Sequence, residues 1–483
     1  MIDRLVNEGV EMKRMYAMPQ CSPTRSAIMT GRFAFHTGMQ HWTTLTPGGT
    51  AGIEDFKTIA NVMQDAGYDT HAIGKWHLGY SKLDQIPTGV GFDSYMGYLQ
   101  GQCDYYNHTV PACQSGTQFC MYKSDNGESS PYGPNAAGSD FWDSKGKNNL
   151  ESMSSAFGNY SMDMYESRFE KILAEKKEDS KLFVYFAEQT LHIPIEAPPE
   201  ASYLENCANV KGGDALINRT VLCSMASRLD ASIGRIESLL KKYGIWEDTI
   251  VWAVSDNGGM NQFIEAFPAS ASSNWPLRGG KTTVFEGGVR AVSFVFGGAL
   301  PDSARGQKRN HLMHAVDFLP TLSSLAGVNT SKLPDSLDGL NVWDTIVSGQ
   351  SLNRTELPLQ IAINRDLDRI GGDVPCFGSH CENVNYTALI QWPYKLILGN
   401  PFLKIGQEDK DRGGYWTIEK YEYVDPPEAY DDVDVRLYNL EEDETVRLAS
   451  SLDRLVHSNT YSHTYTHTYN RNLRTSHLSF RTL

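Results

Sequence analysis

No stretch of the 483 residues approaches the ~20 consecutive apolar positions that a membrane-spanning helix requires. The opening Met1-Ile2-Asp3-Arg4-Leu5 lacks the apolar core of a signal peptide, so the sequence taken literally has a cytosolic address. Positive charge is also short. Lys plus Arg number 43 against 58 Asp plus Glu, and the formal charge of -15 repels nucleic acid and anionic membranes at long range. Any anionic substrate therefore needs a local basic pocket. The 40% hydrophobic and 21% charged content excludes a disordered or collagenous chain, and the length allows two or three domains.

What is present contradicts the cytosolic address. Six Asn-x-Ser/Thr sequons occur, at Asn107, Asn159, Asn218, Asn329, Asn353 and Asn385. Among eight cysteines, Cys113 with Cys120 and Cys376 with Cys381 are close enough in sequence for local disulfides, and Cys207 with Cys223 could form a third. If Cys21 is chemically special, Cys103 is left without a partner. Eight reduced, buried thiols are the other reading.

Hydrophobic periodicity gives repeated helix-then-strand units. Phe56, Ile59, Ala60 and Met63 follow helical spacing over 54–66, Gly67 is placed to stop that helix, and 68–73 reads as a strand. Met162, Tyr165, Phe169, Ile172 and Leu173 line a second helix before the near-continuous apolar strand 182–187, expected to be buried. A third helix carries Met225, Leu229, Ile233, Ile236 and Leu240 and ends at Lys241-Lys242 and Gly244, ahead of strand 249–254.

This order predicts an α/β fold, a mostly parallel sheet flanked by helices, with ligands beyond the carboxyl ends of the strands. Gly74-Lys75-Trp76-His77, Glu188 to His192 and Ser255-Asp256-Asn257-Gly258-Gly259 each follow directly on an expected strand. Beyond Trp343 short strands such as 359–363 and 388–398 predict a smaller C-terminal α+β domain on an antiparallel sheet, over 350–448, after a main domain over 1–349. Residues 449–483, with the repeat from Tyr461 to Tyr469, are expected to be a disordered tail.

Cys21-Ser22-Pro23-Thr24-Arg25, followed by Thr30-Gly31-Arg32, sets a cysteine at the start of a helix whose early turn Pro23 pre-sets. Free N–H groups there favour a tetrahedral oxyanion beside the sulfur. The whole string resembles the first signature of the sulfatase family. The second is matched by Gly67-Tyr68-Asp69-Thr70-His71-Ala72-Ile73-Gly74-Lys75-Trp76-His77. Gln189-Thr190-Leu191-His192-Ile193-Pro194, Asp256-Asn257-Gly258-Gly259, Asn274 to Lys281 and Glu286-Gly287-Gly288-Val289-Arg290 are similar to the arylsulfatase B group, with arylsulfatases I and J.

The resemblance implies an alkaline-phosphatase-like fold and hydrolysis of sulfate esters, with N-acetylgalactosamine 4-sulfate of chondroitin and dermatan sulfate as the substrate. It implies that a formylglycine-generating enzyme oxidises Cys21 to formylglycine, whose hydrate attacks sulfur to give a covalent sulfated enzyme. Asp256 and Asn257, with that modified Cys21, would ligate one Ca2+. Arg25 and Lys75 would neutralise the diol and the sulfate, and Lys281 would contact sulfate. His192 would protonate the leaving sugar oxygen, and His77 would take a proton from the second diol hydroxyl. His36, His41 and His71 receive a structural reading only. The family also implies a lysosomal or secreted protein.

The sequence departs from the family in two respects: no aspartate pair at a strand end precedes Cys21, and the repetitive end after Val435-Arg436-Leu437-Tyr438-Asn439-Leu440 resembles no sulfatase terminus. The expectation is a chain lacking its first strand, with neighbouring strand edges exposed and calcium binding weakened. Two rivals follow, a phosphohydrolase of the same superfamily and a remnant that binds sulfated glycans without turnover.

Overall fold

The computed structural model describes residues 1–40, 52–110, 138–147, 149–210, 219–260, 272–274, 276–361, 386–398 and 435–443. The expected cysteine pairs Cys113 with Cys120 and Cys376 with Cys381, the sequons at Asn218 and Asn385, and the tail lie outside these residues.

The helix-then-strand units form with shifted bounds. Helix Ile59–Asp65 starts later than its apolar spacing suggests, because the Thr58 side chain caps it in a capping box with Asn61. Helix Ser161–Glu175 precedes strand Lys181–Ala187, and the 24-residue helix Arg219–Lys242 precedes strand Val251–Val254. Within the first sheet Tyr68–Gly74 pairs in parallel with both Ser94–Gly97 and Lys181–Ala187, while Trp142–Lys145 and Leu150–Ser152 extend it antiparallel. The second sheet is mixed, ordered Val251–Val254, Ser293–Phe296, Val10–Met12, Gln307–Arg309, with the last pair parallel.

These two sheets end on facing edges. Lys181–Ala187 pairs on one side only and Val251–Val254 pairs on one side only among the described residues. Leu182 to Phe186, expected to be buried, are half-buried instead, and so is every residue of Val251–Val254. The physical reason is a cavity of about 1570 Å³ between the two edges, lined by both strands and by Leu229, Ile233 and Ile236 of the long helix.

A separate antiparallel sheet, ordered Glu356–Gln360, Thr387–Gln391, Tyr394–Leu398 and Val435–Asn439, packs against the main body. Its docking is polar as well as apolar. Lys395 and Glu286, both fully buried, form an ion pair at 2.6 Å, and Arg278 Nη1 donates to Tyr438 Oη at 3.1 Å. Helix Ala201–Asn206 is tied to the long helix by the disulfide Cys207–Cys223. Cys103 is free and buried.

Candidate active site

Cys21 is the first residue of helix Cys21–Thr30, every residue of which is buried. Gln20 is the N-cap in extended conformation, and Gly31 ends the helix at φ 66°. The helix start turns its positive end towards the sulfur. One turn on, Arg25 gathers three elements: Nε and Nη2 donate to Asp256 Oδ2 at 2.9 and 2.8 Å, and Nη1 donates to Lys75 O at 2.8 Å and Tyr185 Oη at 3.1 Å. The ends of strands Tyr68–Gly74, Lys181–Ala187 and Val251–Val254 are thereby drawn to one point.

His77 adopts φ 62°, a left-handed conformation uncommon outside glycine and asparagine. Its backbone is held there, since its N–H donates to Leu99 O at 3.1 Å and its carbonyl accepts from Ser22 Oγ at 2.8 Å. Both ring nitrogens are buried without a hydrogen-bond partner. Gly101 closes over the ring so tightly that a Cβ there would lie 2.7 Å from His77 Cε1 and Nε2. His192 Nδ1 lies 3.1 Å from Ile193 O, which makes it the donor and leaves Nε2 to accept from Lys281 Nζ, also at 3.1 Å.

The electrostatics follow from this crowding. Burial pushes the Cys21 thiol up, but Lys281, Lys75 and His77 overrule it and hold the encoded cysteine well below its ordinary value. Burial pulls Lys75 down to about 8, partly opposed by the sulfur. His77 falls to about 4 through burial and Lys75, and His192 falls to about 4 through burial, Lys281 and Lys75. Burial disfavours the Asp256 carboxylate, yet Arg25 holds it below the usual range.

Cys21, Arg25, Lys75, His77, His192, Lys281 and Asp256 thus come together. Asn257 follows Asp256, and its Oδ1 is buried with no partner. The Asp256 and Asn257 oxygens are hard donors of the kind Ca2+ takes, and the orphaned amide oxygen fits such an ion. They are two of the six to eight ligands Ca2+ prefers, and among the described residues no group of three His, Cys, Asp or Glu side chains converges for a metal. Nδ1 of His71 lies 2.8 Å from Ser94 Oγ and Nδ1 of His36 lies 2.7 Å from Asp338 Oδ2. His41 lies outside the described residues.

The sequence reading gave Tyr185, Glu188 and Glu286 no individual role, although Glu188 and Glu286 each open a motif that it singled out. Tyr185 sits within an apolar strand, where nothing local distinguishes a site residue from a core one. Glu188 Oε1 accepts from Ser232 at 2.8 Å while Oε2 is enclosed without a partner, and burial raises the carboxyl to about 7.

The cations gathered about a helix start lie at the carboxyl ends of α/β strands, and the fold is alkaline-phosphatase-like. The chain belongs to the sulfatase family, whose model, described as Sulfatase, matches residues 1–328. It is 34% identical over 400 residues to arylsulfatase J of Mus musculus, covering 83% of this chain and 60% of that protein. It is 28% identical over 370 residues to N-acetylgalactosamine-6-sulfatase of Rattus norvegicus, covering 73% and 62%. The crystal structure of Ps i-CgsB in complex with k-i-k-neocarrahexaose shares the fold at TM-score 0.65 and 20% identity, over 97% of this chain and 86% of that one. The chain therefore spans about 60% of the length of these curated relatives.

Proposed function

We propose that this chain hydrolyses sulfate esters, with N-acetylgalactosamine 4-sulfate in chondroitin or dermatan sulfate as the substrate. The observation that carries the reading is the convergence of Lys75, Lys281 and Arg25 on buried Cys21 in a protein of net charge -15. Such a chain must concentrate its cations locally to hold an anion.

Oxidised to formylglycine by a formylglycine-generating enzyme, position 21 would supply a hydrated aldehyde as nucleophile, and Asp256 and Asn257 would hold a Ca2+ that supplies Lewis acidity. The remaining roles belong to the chain's own side chains. Lys75 and Lys281 bind and orient the sulfate and offset charge that develops in the transition state. Arg25 fixes Asp256 and neutralises the diol oxygens. His192, neutral at rest, takes a proton from solvent at Nε2 when an anion binds beside it and donates it to the leaving oxygen. The unpartnered nitrogens of His77 accept a proton from the diol. A lysosomal or secreted address is supported by the Cys207–Cys223 disulfide and by exposed Asn107, Asn159, Asn329 and Asn353 in their sequons. We also propose the division at about Gly349, which ends helix Trp343–Ser348 at φ 75°.

Mass spectrometry of the Cys21 peptide after expression in a secretory host, with paired assays on aryl sulfate and aryl phosphate, tests the reading. An aldehyde at position 21 with sulfate turnover supports it. An intact thiol without turnover favours a glycan-binding remnant, and aryl phosphate preference favours a phosphohydrolase. Lys75→Ala is expected to lower turnover by about 10²–10³, the loss typical of an oxyanion donor.

A further inference from the structure

The turn after Asp256 and Asn257 and the loop bearing Lys281 are joined at backbone level. Gly258 N–H donates to Gly288 O at 2.9 Å, and Gly259 O accepts from Lys281 N–H at 3.0 Å. The fit is close enough that a Cβ on Gly258 would sit 1.7 Å from Gly287 O. One side chain spans the junction. Asn274 Oδ1 accepts from Gly259 N–H at 2.9 Å, while its Nδ2 donates to Gly259 O at 2.8 Å and to Gly279 O at 3.0 Å. The amide orientation is determined by its partners, because only the oxygen can meet the Gly259 N–H and only the nitrogen can meet two carbonyls.

We propose that Asn274 is a positioning residue whose carboxamide clamps the Gly258-Gly259 turn to the loop at Gly279, fixing Asp256 and Asn257 relative to Lys281. A single rigid amide meets both strands of the junction, so rotation of either segment breaks at least one of three hydrogen bonds. The distance between the two oxygen donors and the Lys281 ammonium is thus set by a residue that touches neither. What the clamp is for rests on the functional reading above; its existence as a coupling between the two segments does not.

Hydrogen exchange followed by mass spectrometry on the whole chain tests the coupling without recourse to activity. Asn274→Ala removes all three bonds, and Asn274→Asp keeps the acceptor for Gly259 N–H while setting a carboxylate oxygen against two carbonyls. Both variants are expected to exchange about tenfold faster in peptides covering 256–260 and 279–281, about the worth of one hydrogen bond. Exchange in the Ser161–Glu175 helix and the melting temperature should stay as in the parent. On aryl sulfate, kcat should fall by about 10² with KM little changed, as for reacting groups displaced by about an ångström, and any calcium-induced rise in melting temperature should shrink.

Unaltered exchange at both segments overturns the proposal. So does a uniform rise across the chain with a matching loss of melting temperature, which would make Asn274 a general brace of the fold. A parent protein with neither sulfate turnover nor a calcium response would instead refute the functional reading, and the exchange data would still decide the clamp.

Discussion

At the scale of single residues, the site is governed by how burial competes with neighbouring charge. Lys75 is cationic below about 8 and neutral above it, so a reaction that needs its ammonium loses rate as pH rises through that value. Aryl sulfate turnover measured from pH 6 to 10 should show this falling limb, and Lys75→Arg should move it out of range, because a guanidinium stays charged. His77 depends on shape as much as on charge. Gly101→Ala would press a methyl group into its ring and is expected to lower turnover by about 10² with the fold retained, as seen in parallel circular dichroism and rate measurements.

Among elements, the C-terminal antiparallel sheet supports the site from outside it. Lys395 on strand Tyr394–Leu398 neutralises Glu286, which also accepts from Tyr16 at 2.9 Å, and Tyr386 Oη donates to Thr282 O at 3.2 Å. These contacts hold the 278–290 segment that carries Lys281. Lys395→Met leaves buried Glu286 with only the Tyr16 hydrogen bond and a longer contact to Arg290 at 3.9 Å, and should cost about 3–5 kcal/mol in urea unfolding. Restoring a neutral pair with Glu286→Gln in the same chain should recover most of that loss. Burial depresses Lys395 despite its partner, so desolvation outweighs the attraction of Glu286 for the ammonium.

For the whole molecule, two properties follow from the split between the main sheets. The edges at Lys181–Ala187 and Val251–Val254 that have no partner among the described residues, beside an apolar cavity, are templates for further strand pairing. Sedimentation should therefore show association that grows with protein concentration. Acid sensitivity is the second property. His77 and His192 stand at about 4 in the folded chain against an ordinary 6.5, so the unfolded chain binds more protons between those values. Stability present above pH 6.5 is lost as pH falls towards 4. Thermal melts at pH 7 and pH 4.5 should show it, and added sulfate should oppose it by favouring the charged histidines.

The order of elements, the choice of Cys21, Arg25, Lys75, His77, His192, Asp256, Asn257 and Lys281 as candidates for one place in the fold, and the presence of a second, antiparallel sheet were legible in the amino-acid sequence. Each depends on local periodicity or on a contiguous motif, and such patterns are written along the chain. Tertiary structure alone decided that Tyr185 and Lys75 O share the Arg25 guanidinium, that Asn274 bridges a turn and a loop, and that strands apolar on both faces are left half-exposed. Those outcomes depend on contacts between residues up to 160 positions apart, as for Arg25 with Tyr185. No local pattern encodes such contacts, because the same tyrosine or asparagine would satisfy the same periodicity in an ordinary core or turn.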